Sequence, residues 1–134
     1  MPAVIVHYPR GCMDPTDKER FKRTVKLEVA AYMDAVDPAT QRETQFAADP
    51  NAFIDLVLVP YEPDDAEVTT PFMATIITYQ WPDRMKDIDH RIEAITNRVR
   101  AFGFTTDIEA RWPKGKELIS FTFLGKQPGA WAAA

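Results

Sequence analysis

The sequence predicts an α+β protein made of two consecutive β-α-β units, and three observations support this. Short β-rich segments at 3–9 and 53–61 flank one amphipathic helical segment. A second helical segment lies between similar β-rich segments at 72–80 and 117–125. Each helical segment is apolar on one side only, as in a helix that covers a sheet. We therefore expect one four-stranded sheet with both helices on one face.

The first unit has a strand at 3–9, rich in β-branched residues, that ends at a proline. Asp14 is predicted as the N-cap of the following helix, with Pro15 in its first turn. This helix is expected to run to about Val36, before Asp-Pro ends it. Its apolar face repeats at spacings of three and four residues and consists of Phe21, Val25, Val29, Tyr32 and Val36. The strand FIDLVLVPY then completes the unit.

The second unit begins with the strand FMATIITYQ, which Trp-Pro-Asp interrupts. Asp83 is the predicted N-cap of the second helix, and Gly103 fits its carboxyl-terminal cap. The residues expected to be buried on this helix are Met85, Ile88, Ile92, Ile95, Val99 and Phe102. The strand ELISFTFLG closes the unit. The repeat is one of pattern, over 2–61 and 72–125, and the prediction is a single domain over 1–134.

Two sheet arrangements fit this order of elements. The halves of a ferredoxin-like sandwich interleave, whereas tandem units form two parallel strand pairs side by side. We expect parallel pairing of the first and second strands to support the tandem arrangement. Conversely, first and third strands adjacent in the centre, with the second strand at an edge, are expected to count against it. In either case the sheet face without helices needs cover, which favours an oligomer. The apolar residues predicted for that face are Ile5, Ile54, Phe121 and Phe123.

Composition excludes several kinds of function. A net charge of −4 gives no electrostatic basis for binding nucleic acid or an anionic membrane. The apolar runs of the sequence are only as long as strands, too short for a membrane-spanning helix. The first residues do not have the pattern of a signal peptide. A single cysteine, Cys12, cannot form an internal disulfide, so we expect a cytoplasmic protein. The two histidines lie far apart without paired cysteines, and no phosphate loop or dinucleotide fingerprint occurs. No metal or cofactor is therefore expected.

The first residues carry a family resemblance. Pro2, a short strand, a turn with Arg10 and Gly11, and a capped amphipathic helix together resemble the tautomerase superfamily. That superfamily includes 4-oxalocrotonate tautomerase, cis-3-chloroacrylic acid dehalogenase and malonate semialdehyde decarboxylase. For this chain the resemblance implies two fused β-α-β units in a homotrimer. It also implies an isomerase or a related lyase or hydrolase acting on a small enol or 2-oxo carboxylic acid. The reaction would be a tautomerisation, or the hydration or dehalogenation of an unsaturated acid.

The resemblance also implies the site residues. Removal of Met1 would leave Pro2 as an amino-terminal secondary amine, the general base or acid of the superfamily. Arg10, after the first strand, and Arg84, in the equivalent turn of the second half, would bind the substrate carboxylate. The dehalogenases have a histidine on the first helix, and this chain has none there.

Pro2 and Arg10 stand at opposite ends of the first strand, which spans roughly 20–25 Å at ~3.3 Å per residue. The turn must therefore fold back over the sheet, or the arginine must come from the second unit or a neighbouring subunit.

Two other hypotheses remain open at this point. One is a dimeric α+β barrel similar to the EthD or antibiotic-monooxygenase families. The other is a small-molecule-binding domain without catalysis, in which Pro2 is structural. The intact mass of the native protein distinguishes the hypothesis of catalysis by an amino-terminal proline from these two. If Met1 is retained, the nitrogen of Pro2 is an amide and cannot act as a base.

Overall fold

The helices and strands follow the predicted order. The computed structural model describes residues 3–33, 54–68, 70–79, 85–101 and 119–126. The elements are β1 (Ala3–Pro9), α1 (Pro15–Met33), β2 (Asp55–Tyr61), a 3-10 turn (Pro63–Asp65), β3 (Phe72–Tyr79), α2 (Ile88–Arg100) and β4 (Ile119–Lys126). Several predicted features lie outside the described residues, namely Pro2, Val36, Asp83, Arg84, Phe102 and Gly103.

The sheet has the strand order β2-β1-β3-β4. Strands β1 and β2 pair in parallel, from Ala3 opposite Asp55 to Pro9 opposite Tyr61. Strands β3 and β4 also pair in parallel, and β1 pairs with β3 in antiparallel fashion. Each β-α-β unit therefore forms its own parallel pair, which confirms the tandem arrangement and is inconsistent with interleaved, ferredoxin-like halves.

One criterion from the sequence was wrong. Strands β1 and β3 are adjacent in the centre and β2 lies at an edge, which we expected to count against tandem units. When two parallel pairs join through their first strands, however, the second strand of each pair necessarily lies at an edge. The direction of the β1–β2 pairing separates the two arrangements, and the central position of β1 and β3 does not.

The start of α1 agrees with the predicted cap. The carboxylate of Asp14 accepts a hydrogen bond from the backbone N–H of Asp17, with 2.7 Å between nitrogen and Oδ1. Gly11 in the preceding turn has φ of 80°, a conformation that glycine adopts at little cost. The N-cap of α2 is Asp87 and not Asp83, so the predicted start of this helix was wrong. The carboxylate of Asp87 makes no cap hydrogen bond and instead accepts one from Nε of Arg91 at 2.7 Å.

Both helices cover the same face of the sheet. Phe21, Val25 and Val29 of α1 are buried, as their spacing predicted. Ile95 and Val99 of α2 are buried too, and the two helices contact each other. The strand residues of this core come from every second position and from both units, namely Val4, Val6, Tyr8, Phe72, Ala74, Ile76, Ile119 and Phe121. One continuous core of the described residues therefore includes both units.

No described helix or loop of the chain covers the opposite sheet face. We call it the open face and define it by the remaining strand positions with described side chains: Ala3, Ile5, His7, Pro9, Asp55, Val57, Val59, Tyr61, Met73, Thr75, Ile77, Ser120, Thr122 and Leu124. Val57 and Leu124 are 53% and 55% exposed. Of the residues predicted for this face, only Ile5 lies on it. Ile54 and Phe121 are buried beneath the helices, and Phe123 packs against the same core. The assignments of these three residues were wrong because their side chains lie on the helix-covered side of the sheet and not on the open face.

Two further findings concern the described residues alone. Neither helix in these ranges is long and apolar enough to span a membrane. No three His, Cys, Asp or Glu side chains in the same ranges are grouped so that they could hold a metal ion.

Candidate active site

The start of β1 and the end of β3 lie at the same end of the sheet. In the antiparallel β1–β3 pair, Ala3 is opposite Ile77, only two residues before the end of β3. Pro2 is bonded to Ala3, and the segment leading to Arg84 leaves from the end of β3. We call this the proline end of the sheet and define it by Ala3, Asp55 and Ile77. Pro2 and Arg84 themselves lie outside the described residues. The proline end is therefore defined by described residues that precede or follow them in the chain.

Asp55 brings a carboxylate to the proline end. It is exposed at the start of β2, directly opposite Ala3 in the parallel β1–β2 pair. Residues that face each other in a parallel pair project from the same side of the sheet. Sequence reasoning did not select Asp55. Its signal was an acidic residue within the otherwise apolar run FIDLVLV, but its position beside the chain start depends on the strand register.

Arg10 lies at the other end of β1. Its backbone N–H donates to the carbonyl of Tyr61 at 2.8 Å. Its guanidinium forms an ion pair through Nε with the carboxylate of Glu62, and both side chains are well exposed. The turn therefore stays against the end of β2 and does not fold back towards Ala3. Because exposed ion pairs contribute only about 0–1 kcal/mol, Arg10 can exchange Glu62 for another carboxylate at little cost.

At the Arg10 end of the sheet, a side-chain hydrogen bond connects two segments of the chain. The Tyr61 hydroxyl donates to the carbonyl of Pro71 at 2.7 Å and so connects the end of β2 to the residue before β3. Burial raises the pKa of the Tyr61 phenol above its usual value, and the neighbouring Cys12 raises it further. Tyr61 therefore stays protonated at neutral pH. We assign it a structural role, as a donor that holds this end together.

Tyr32 connects the two helices. Its carbonyl accepts a hydrogen bond from Arg91 at 3.1 Å, and its hydroxyl accepts one from Nε of Arg98 at 3.2 Å. The hydrogen bond to Tyr32 is the largest cause of the raised pKa of Arg98. The Tyr32 side chain is half-buried against the core. It packs and bridges helices here, at a distance in the fold from the open sheet face.

Comparison with known proteins identifies the fold. No protein-family model matches the sequence, and no curated protein matches it. Among solved structures, a fused 4-OT asymmetric trimer aligns with a TM-score of 0.59 at 10% identity, covering 93% of this chain and 86% of the other. A malonate semialdehyde decarboxylase inhibited by 3-bromopropiolate aligns with a TM-score of 0.58 at 11% identity, covering 96% and 86%.

A member of the cis-3-chloroacrylic acid dehalogenase family gives a TM-score of 0.56 at 11% identity, covering 93% of this chain and 75% of the other. At such identities the likeness establishes the fold, and each chain is covered over most of its length. The resemblance read from the first residues is thus confirmed at the level of architecture: the chain has the same fold of two β-α-β units as these solved structures.

Proposed function

We propose that the protein is a tautomerase-superfamily enzyme whose amino-terminal Pro2 is the general base or acid. Its substrate is a small enol or 2-oxo carboxylic acid. The strand order carries this proposal, because it brings the chain start and the segment before α2 to one end of the sheet. A fold shared with fused 4-OT, malonate semialdehyde decarboxylase and a cis-CaaD family member supports the same function.

In the proposed tautomerisation, the neutral amine of Pro2 takes the proton from the enol hydroxyl. The resulting ammonium returns a proton to the substrate carbon, so the enol becomes a 2-oxo acid and the amine is regenerated. A positioned acid–base group of this kind contributes about 10²–10⁴-fold to the rate. Hydration or dehalogenation of an unsaturated acid would use the ammonium as a proton donor in the same place.

The substrate carboxylate is proposed to bind two arginines. Arg84 follows the end of β3 and is supplied by the same chain as Pro2. Arg10 lies at the far end of β1, so it acts on the Pro2 site of a neighbouring subunit. A homotrimer fits this requirement, and two solved fused 4-OT structures of this fold are described as trimers. The uncovered open face supports the same assembly. We further propose that the protein is cytoplasmic.

Two measurements test the proposed function. The intact mass of the native protein should correspond to a chain without Met1. Purified protein should ketonise phenylenolpyruvate or 2-hydroxymuconate, followed by the loss of enol absorbance. Retention of Met1, or no turnover of either acid together with an unreactive amine at neutral pH, would contradict the proposal. It would favour the non-catalytic binding domain.

A pairing experiment tests the origin of each arginine. Pro2→Ala subunits are refolded together with Arg10→Ala subunits, each nearly inactive alone at low substrate concentration. If Arg10 acts across a subunit boundary, random mixing makes about a quarter of the sites fully native, and kcat/KM recovers to about that fraction of wild type. Mixing Pro2→Ala with Arg84→Ala subunits should restore nothing, since both residues come from one chain. Recovery in the second mixture, or none in the first, would contradict the assignment.

The charge of Asp55 is expected to change the pKa of the Pro2 amine. Whatever the conformation of Pro2, its nitrogen lies within about 4 Å of the Ala3 nitrogen. Neighbouring strands are about 4.8 Å apart, so the Asp55 carboxylate is within electrostatic range of the amine. A carboxylate stabilises the ammonium form, so it raises the amine pKa. Asp55→Asn should therefore lower that pKa.

The measurement is the pH dependence of amine modification and of kcat/KM. The basic form should appear at lower pH in Asp55→Asn than in wild type. Glu93→Gln is the control, because it removes one negative charge from an exposed position of α2, on the helix side of the sheet. Equal profiles for wild type, Asp55→Asn and Glu93→Gln would exclude this role for Asp55.

A further inference from the structure

His7 is an ionisable residue in the middle of the open face. It is exposed on β1, and its Cα partners are Val59 of β2 and Met73 of β3. Along β1 the neighbours on the same side are Ile5 and Pro9. The side chains that surround His7 within the chain are therefore apolar. Nothing in the proposed chemistry uses this histidine.

Among the described residues, the side chains on the neighbouring strands offer the charge of His7 no partner. Besides Val59 and Met73, the diagonal positions of the neighbouring strands are Val57 and Thr75, which do not titrate. Tyr61, opposite Pro9, stays neutral because its pKa is raised. Asp55 lies opposite Ala3, four residues from His7 along the strand, or about 13 Å at ~3.3 Å per residue. Across an exposed surface that exceeds the screening length of about 8–10 Å.

The occupant that this face fits is a second copy of the chain. Its centre is apolar, with Val57 and Leu124 each more than half exposed. It carries no cluster of like charges among the described side chains, so identical copies can approach without repulsion. This step rests on the assembly included in the proposed function.

We propose that His7 makes association through the open face dependent on pH, with the neutral imidazole buried between subunits and the charged form favouring separated chains. Burial in apolar surroundings disfavours the charged form of a histidine, so the assembled state binds fewer protons than the separated chains. The sign follows from proton linkage. Association is strongest above pH 6.5, where a free histidine is neutral, and weakens as the pH falls below it.

Sedimentation velocity of the full chain between pH 5.0 and pH 8.0, over a range of micromolar concentrations, tests this proposal. For wild type, the dissociation constant should be flat above pH 7. Below pH 6.5 it should rise by up to about tenfold per pH unit for each histidine buried. His7→Gln, neutral at every pH, should assemble with no such dependence. His90→Gln is the matched control, since His90 is exposed on α2, and it should behave as wild type.

A wild-type assembly that is constant over this pH range would overturn the proposal. So would a His7→Gln protein with the wild-type pH dependence, or a wild type that stays monomeric throughout. Far-ultraviolet circular dichroism at each pH verifies that the variants remain folded. Turnover of an enol acid, measured at pH 7.5 on the same samples, separates this inference from the proposed function. If association of wild type did not depend on pH while its turnover of the enol acid was intact, only the proposed role of His7 would be overturned.

Discussion

Replacing Pro2 by alanine is expected to lower kcat/KM for an enol acid by about 10²–10⁴-fold, the contribution of a positioned acid–base group. After Met1 is removed, the variant has a primary amine in place of the ring amine of proline. Alanine at the chain start is also free to rotate about φ, which proline is not. Residual activity therefore reports how much the ring contributes. Glycine at this position should do no better, because it adds still more backbone freedom.

The control for this variant is Leu27→Ala, which changes an exposed residue of α1, on the helix side of the sheet. Its kcat/KM should equal that of wild type. The readout is steady-state turnover together with intact mass, which verifies that Met1 has been removed from both variants. If Pro2→Ala retained wild-type kcat/KM, the secondary ring amine would not be required for the reaction and the proposed role of Pro2 would be wrong.

Replacing Phe72 by alanine should cost about 3–5 kcal/mol of folding free energy. Phe72 is fully buried at the start of β3. Its ring stacks on Tyr8 of β1, with 6.4 Å between ring centroids, and it lies at 44° to Phe21 of α1, with 5.4 Å between centroids. It therefore connects the second unit with the strand and the helix of the first. A domain is stable by only about 5–15 kcal/mol, so this loss is a large share of the total.

Urea unfolding at one fixed protein concentration measures the effect of Phe72→Ala, because association also stabilises the folded chain. Leu27→Ala is the control: Leu27 is 53% exposed on α1, and its loss should change stability by no more than about 0.5 kcal/mol. If the two variants unfolded at the same urea concentration, the aromatic contacts of Phe72 would not be central to stability.

The sequence by itself determined the local elements, because local interactions encode them. The predicted strand 3–9 has the bounds of β1, since β-branched residues end there at a proline. Asp14 caps α1 by accepting a hydrogen bond from Asp17, only three positions further along the chain. The buried stripe of α1 follows from helical spacing alone. The amino-terminal motif also led to proteins whose fold the chain shares.

Only the tertiary structure decided which strands pair and which side of each strand is buried. The predicted site depends on that pairing: it separates Arg10 from the proline end and brings Asp55 to it. Phe121 and Phe123 were assigned to the open face and lie on the core side. β4 has large apolar residues on both sides, since Leu124 is exposed, so alternation alone did not distinguish them. Strand order and register arise from contacts between residues far apart in the chain, and local sequence patterns do not determine those contacts.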